Sequence, residues 1–424
     1  MKQIRLLLFL GVGITAWAAE GIVGFSKPVP EPNDTGVQKK TSEPNVLELV
    51  VFDAVDVIEL TPASEISRPP YHLLPLKTEL VEGACLPLFL DVFRQDPNHT
   101  EAEPDFQLID ELLTTPAEEI DMEIMGALLD LHRDKLDLLR KASLCKTVEW
   151  PVLPSAPPRR REYYIYSLAV YPSPGETGRV KTDTESVVFT ASEYLDFLDN
   201  IGRYGKLVAL KARFHILRRD YENAAEWLRT GLRICRQMTM HSNSQMGVIA
   251  ASNASEMLQQ IELWIQMPNS PGLFRSLQDL PRPFLNAYSL APLVEKRPER
   301  RLPSRFGLPM YAPSDEDNNT DEERVLPDYS NSLFRKTSDR IDRFIAILEC
   351  LAGLRYYAVL YDGQLPYSLA GITEFRMPVD PVTNRQFVYR KVSNTYILET
   401  SDVDRGPSVS GFRYTIRMTP FSED

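Results

Sequence analysis

Asp220–Cys235 reads DYENAAEWLRTGLRIC, and its spacing decides the fold. Ala224, Leu228, Gly231 and Cys235 recur every three or four residues, the period at which side chains share one face of an α-helix. The same period continues on both sides. Leu207, Leu210, Phe214 and Leu217 mark a preceding helix, and Met246, Ala250, Met257, Ile261 and Trp264 mark a following one. Thr190-Ala191-Ser192-Glu193 opens the region with a capping sequence, so three helices are drawn between Glu193 and Met267. Their short connections predict antiparallel packing of neighbours. The expected fold is mainly α: an antiparallel, repeat-like helical body with a short β flap and a small carboxy-terminal α+β module.

Upstream, Thr115-Pro116-Ala117-Glu118 reads as a helix start, with Thr accepting from the freed amides and Pro fitting the first turn. Ile120, Ile124, Leu128, Leu131 and Leu138 then trace an apolar face as far as Leu144. Glu118, Glu119, Asp121 and Glu123 have the residue type of acid/base catalysts, but at a helix start they complement the positive end of the helix dipole. Six prolines between Pro151 and Pro174 interrupt the helical pattern, and Tyr163–Tyr166 with Val187–Phe189 predict the strands of a hairpin or flap near 160–190. The tyrosines read either as rings packed on a core or as a stacking platform. Val46 to Leu60 is rich in β-forming residues and predicts one or two strands.

Downstream, Ser332 to Tyr361 predicts a long helix with Ile341, Phe344, Leu348, Leu351, Leu354 and Ala358 on its apolar face. Gly363 supplies a left-handed cap and Pro366 blocks continuation. Met377–Asn384 reads as a turn, and Phe387–Arg390, Tyr396–Leu398 and Phe412–Ile416 as three short strands. Residues 291–330 read as a linker. Within it, Asp315, Asp317, Asn319 and Asp321 have calcium-loop spacing, but Thr320 and Leu326 stand where such a loop needs glycine and glutamate. Asp402 and Asp404 are two carboxylates where calcium takes about six to eight oxygens, so that segment reads as a hairpin turn.

Two stretches carry resemblances. Asp220–Leu228 with Gly231 resembles the second helix of a tetratricopeptide unit, whose small-large-small spacing lets two helices approach closely. The helix before it matches at Ala212, while Lys211 and His215 depart from the usual Leu and Tyr. Asp362–Leu369, Val379–Asn384 and Tyr389-Arg390 are similar to a helix-then-small-sheet module that ends many uncharacterised exported proteins of planctomycete-type bacteria. The same arrangement resembles the soluble part of type II secretion pseudopilins. Those carry a Gly-Phe processing site before their apolar helix; here Gly24-Phe25 follows the apolar run, so assembly into a fibre is not implied.

Lys2 and Arg5 followed by the apolar run Leu6–Ala19 have the layout of an export signal, with Ala16-Trp17-Ala18 placing cleavage after Ala18. The run is cut short by Glu20, against about 20 apolar residues for a membrane span. An uncleaved anchor is the alternative. The chain divides into a signal peptide (1–18), a tether (19–44), a mainly helical domain (45–290), the linker (291–330) and the carboxy-terminal module (331–420). A net charge of −12 argues against nucleic acid and anionic lipid as main partners. Cys235 and Cys350 sit on apolar helical faces and read as small buried hydrophobes; a Cys85–Cys145 bridge stays open.

The sequence has no G-x-S-x-G elbow, H-E-x-x-H pair, P-loop or strand-linked G-x-G-x-x-G. Its 5 histidines, His72, His99, His132, His215 and His241, have no metal-ligand spacing. No catalytic, cofactor-binding or metal-binding residue is assigned, and no cofactor is expected. The expected function is an exported, non-catalytic scaffold whose partner is another envelope protein. Two alternatives stay open: an extracytoplasmic hydrolase with its site between the helical body and the Tyr163–Tyr171 flap, and a secretion-system accessory protein.

Overall fold

The computed structural model describes residues 56–64, 71–94, 106–147, 177–181, 186–240, 244–286, 329–400 and 411–419. In chain order its elements are β1 (Asp56–Leu60), β2 (Val81–Ala84), α1 (Leu86–Arg94), α2 (Phe106–Thr114), α3 (Met122–Leu131), α4 (Arg133–Ser143), β3 (Cys145–Thr147), β4 (Thr177–Lys181) and β5 (Ser186–Thr190). Then come α5 (Ala191–Leu217), α6 (Tyr221–Met238), α7 (Ser244–Gln266), α8 (Phe274–Gln278) and α9 (Tyr329–Leu360). The last strands are β6 (Val379–Asp380), β7 (Arg385–Gln386), β8 (Val388–Val392), β9 (Thr395–Glu399) and β10 (Arg413–Met418). Helix dominates and the sheets are small, so the mainly α expectation holds.

Helices α5, α6 and α7 each pack on the other two. Ala224, Leu228 and Gly231 are all buried, as their spacing requires. Glycines allow close approach at several helix crossings, among them Gly231 and Gly205. A Cβ on Gly231 would lie 2.3 Å from Met257 Sδ, and one on Gly205 would lie 2.2 Å from Asn253 Nδ2. Asp220 caps α6, and its carboxylate accepts from Asn223 Nδ2 at 2.8 Å.

Helix α9 packs against α7, α8 and β6. The sequence pattern identifies one apolar face, but residues 341–355 are buried on every side. A helix in that position must satisfy its polar side chains within the protein. It carries four charges in this run. Asp342 Oδ1 accepts from Phe284 N at 2.7 Å, and Glu349 Oε2 accepts from Arg282 Nη2 at 2.8 Å. Arg343 Nε donates to Asp380 Oδ1 at 3.1 Å. Arg355 Nε donates to Thr61 O at 2.7 Å, Nη1 to Ser270 Oγ at 2.9 Å and Nη2 to Ser270 O at 3.1 Å. Asp342 and Glu349 together hold residues 282–284 against the helix, Arg343 holds β6, and Arg355 holds Thr61 and Ser270. Gly363, at φ 80°, closes the helix by donating to Ala358 O at 2.7 Å.

The largest sheet has the order β1-β10-β9-β8. β8, β9 and β10 are the three strands expected from the period-2 pattern, and they pair antiparallel. β1 joins them in parallel with β10, in register from Asp56↔Tyr414 to Leu60↔Met418. Ile58, Leu60, Tyr414, Ile416 and Leu398 are buried on the inner face, and they share one continuous core with the helices. Beneath it, the Phe344 and Phe412 rings stack at 4.8 Å.

Three local expectations are corrected. Thr115 caps no helix: its hydroxyl donates to Glu111 O at 2.7 Å, finishing α2. A short 3-10 turn spans Ala117–Glu119, and Asp121 is the cap of α3, accepting from Glu123 N at 2.9 Å and Ile124 N at 3.1 Å. The apolar face also lies elsewhere. In α3 Ile124 and Leu131 are exposed while Met125, Leu128 and Leu129 are buried; after a break at His132 a second helix, α4, buries Leu136 and Leu139. Finally, β5 contains the expected Val187–Phe189, but it pairs with Thr177–Lys181. Tyr163–Tyr166 lies outside the described residues, as does the proposed signal. Among the described residues no helix is long and apolar enough to cross a membrane.

Gly231→Ala is expected to lower unfolding stability by about 1–3 kcal/mol, with partial recovery on adding Met257→Ala, read from denaturant midpoints. Arg355→Met is expected to cost roughly 2–5 kcal/mol, because it strands the oxygens of Thr61 and Ser270 in the interior. An unchanged midpoint for Arg355→Met would show that α9 does not depend on this anchor.

Candidate functional site

Among the described residues the histidines do not assemble a centre. His72 is exposed in a loop, and His132 is buried at the α3–α4 junction. His215 Nδ1 lies 3.0 Å from Asp220 Oδ2 at the α5–α6 turn. Burial holds the His215 ring below the usual imidazole range, with the hydrogen bond to Asp220 working against it. Among the described residues no hydroxyl or thiol completes this pair into a nucleophilic triad. His99, His241, the acidic run at 315–323 and Asp402–Asp404 lie outside the described residues. No group of three His, Cys, Asp or Glu side chains suited to a metal occurs among the described residues.

A crevice between α4, α5, α6 and α7 is lined by apolar side chains, with Tyr204 and Asn253 as its polar groups. Both are engaged. The Tyr204 hydroxyl accepts from Lys135 Nζ at 2.8 Å, and Asn253 Nδ2 donates to Ile201 O at 3.3 Å. Cys235 also lines it, but burial pushes its thiol far above the ordinary range, away from the thiolate that nucleophilic chemistry needs. All four cysteines are buried thiols.

Two carboxyls perturbed by burial sit on α9. Burial pushes Asp342 up to about 6, and burial raises Glu349 as well. A carboxyl tuned in this way has the acidity of a general acid. Its geometry argues for a structural task, since Asp342 accepts from the Phe284 amide and Glu349 from Arg282, fastening residues 282–284 to the helix.

The outer face of the β1-β10-β9-β8 sheet is different in kind. Residues opposite one another in register share a face. Val57, Thr415, Ile397 and Arg390 therefore form one row across all four strands, and Arg413, Glu399 and Val388 form the next. Ion pairs run along and between the rows: Arg413 Nε to Glu399 Oε2 at 3.3 Å, Arg390 Nη2 to Glu399 Oε1 at 3.6 Å, and Arg417 Nη1 to Glu59 Oε1 at 3.4 Å. Val57 on edge strand β1 and Val388 and Val392 on the opposite edge strand β8 are 60%, 37% and 39% exposed, while Ile397 between the two edges is buried. The sequence shows each strand's alternation, but this surface requires β1, whose place in the sheet no local pattern reveals.

Comparison with protein-family models, with curated proteins and with solved structures yields no match.

Asp342→Asn keeps an acceptor for the Phe284 amide while removing the titration. The folded carboxyl holds its proton up to about pH 6, against an ordinary value of 3.8, so folding takes up a proton between those values. Stability falls as pH rises through that window, and the cost is complete above it. Relative to the parent, Asp342→Asn should gain up to about 3 kcal/mol between pH 4 and 7. A constant difference in denaturant stability across this range would contradict the assignment.

Proposed function

We propose that this protein is an exported, non-catalytic scaffold of the cell envelope that binds another envelope protein through the outer face of its four-stranded sheet. In this reading α5 and α6 are a tetratricopeptide-like helix pair, extended by α7 into a repeat-like antiparallel body. That body and α9 hold the sheet rigid. Export rests on the basic and apolar start of the chain, Lys2, Arg5 and Leu6–Ala19.

One observation carries the binding reading: Val57, Val388 and Val392 stand open on a sheet face whose surrounding charges are already organised into ion pairs. Open valines beside organised charges give such a face apolar area to bury against a partner. The interior polar side chains, by contrast, are committed to holding segments together. Arg213 shows this: it donates to Gln260 Oε1 at 3.4 Å and to the Thr115 carbonyl, joining α5, α7 and the α2–α3 connection.

The full chain, expressed with a carboxy-terminal tag, should lose its first 18 or so residues on export, as amino-terminal sequencing of the envelope fraction would reveal. Cross-linking followed by capture should enrich one envelope protein, and Val388→Asp with Val392→Asp should abolish that enrichment. An unprocessed chain held in the cytoplasm, or no enriched partner under mild conditions, would overturn the proposal.

A further inference from the structure

We propose that Arg233 and Arg236 of α6 form a binding site for a phosphate dianion, either the free ion or the end of a phosphomonoester. The site is independent of the sheet face. The two residues stand three positions apart in the helix, so their side chains leave α6 on the same side, one turn from each other. Both are half-buried. Among the described residues neither guanidinium forms an ion pair, and Arg233 Nε is fully buried with no hydrogen-bond partner. A buried donor without an acceptor calls for one, because its desolvation is otherwise uncompensated. The rest of this flank is paired. Arg229, one turn earlier, meets Glu79 Oε1 at 3.0 Å, and Glu226 receives Arg140 Nη1 at 3.0 Å. Glu82 on β2 is taken up by Lys146, so these carboxylates are committed elsewhere.

Burial holds both guanidiniums below the ordinary arginine range, and at Arg236 the charge of Arg233 adds to the effect. Two like charges partly withdrawn from water repel each other, and an anion between them reverses the sign of that interaction. Arg233 also lies within electrostatic reach of the Cys85 thiol, which places the site where α6 meets the β2–α1 junction. The residue type selects the ligand. Each guanidinium offers a planar fork of N–H donors that matches two oxygens of an oxyanion. A carboxylate has one charge and two oxygens, enough for a single fork. A phosphate dianion carries two charges and at least three acceptor oxygens, so it can engage both forks and balance both cations. In a chain of net charge −12 the general field disfavours anions, so one that binds must be held by local contacts.

The test is a calorimetric titration of the full chain with inorganic phosphate and with methyl phosphate, at fixed ionic strength. Dissociation constants of about 0.1–1 mM are expected for one such contact. Arg233→Gln and Arg236→Gln should each weaken binding at least about tenfold. Arg233→Lys, which keeps the charge and loses the fork, should fall between these and the parent. Affinity for methyl phosphate should rise as pH passes about 6, where its second proton leaves. Binding of both ligands assigns the end of a monoester, and binding of inorganic phosphate alone assigns the free ion. Dimethyl phosphate, with a single charge and two free oxygens, should bind at least about tenfold more weakly than either. Without ligand, Arg236→Gln should keep the parent's thermal midpoint, and with phosphate it should lose the rise in midpoint that the parent shows. Should that variant fail to fold, the titrations of the parent decide. No binding to the parent at about 10 mM phosphate, equal affinity for dimethyl phosphate, or a folded Arg236→Gln that binds like the parent overturns the proposal.

Discussion

Burying α9 on every side is the constraint from which the rest of the structure follows. A helix that meets solvent on one face can send its charges there; residues 341–355 have no such face. Asp342, Arg343, Glu349 and Arg355 must therefore find partners inside, where an unmet charge costs several kcal/mol. The partners come from the Arg282–Phe284 segment, from Asp380 in β6 and from the Thr61–Ser270 pair. What looks like a polar liability in the core is a set of four fixed distances that orients the segments around the helix. Arg355 is the most demanding of them, since its partners are carbonyls and a hydroxyl. Burial accordingly pushes its guanidinium down to about 10.

The close crossings of α5, α6 and α7 serve the same end by a different means. Gly205 and Gly231 let α7 approach its neighbours, and α7 in turn packs along α9. Side-chain volume sets these two contacts. The sheet then lies against α9 through Phe344 and Phe412. Its inner face is fixed by packing and its outer face is left with paired charges and open valines. Such a division allows a surface to be rigid without being committed to the core.

How much of this could be read from the sequence depends on distance along the chain. Helices α5, α6, α7 and α9 and strands β8, β9 and β10 announce themselves through local period, as Ala224, Leu228 and Gly231 illustrate. The break at His132 did not, because two short helices in succession imitate one long helix. The four-sided burial of α9 was hidden for a related reason. A stripe such as Ile341, Phe344 and Leu348 identifies a buried face, while Arg343 and Arg355 resemble ordinary surface residues until their partners are known. The candidate binding face was the least legible feature. Its rows combine Val57 with Thr415 and Ile397, and only the register joins them.

The parallel pairing of β1 with β10 also has a temporal side. Glu59 and Arg417, which face each other across these strands, are 358 residues apart in the chain. A ribosome adding about 5–20 residues per second makes β1 roughly 20 to 70 seconds before its partner exists. Throughout that interval Ile58 and Leu60 have no strand beside them, and the sheet has no completed edge. Loop closure over so long a span is also slow. The helices, whose contacts are more local, can settle first, so the surface assigned to binding is the last part of the molecule to acquire its shape.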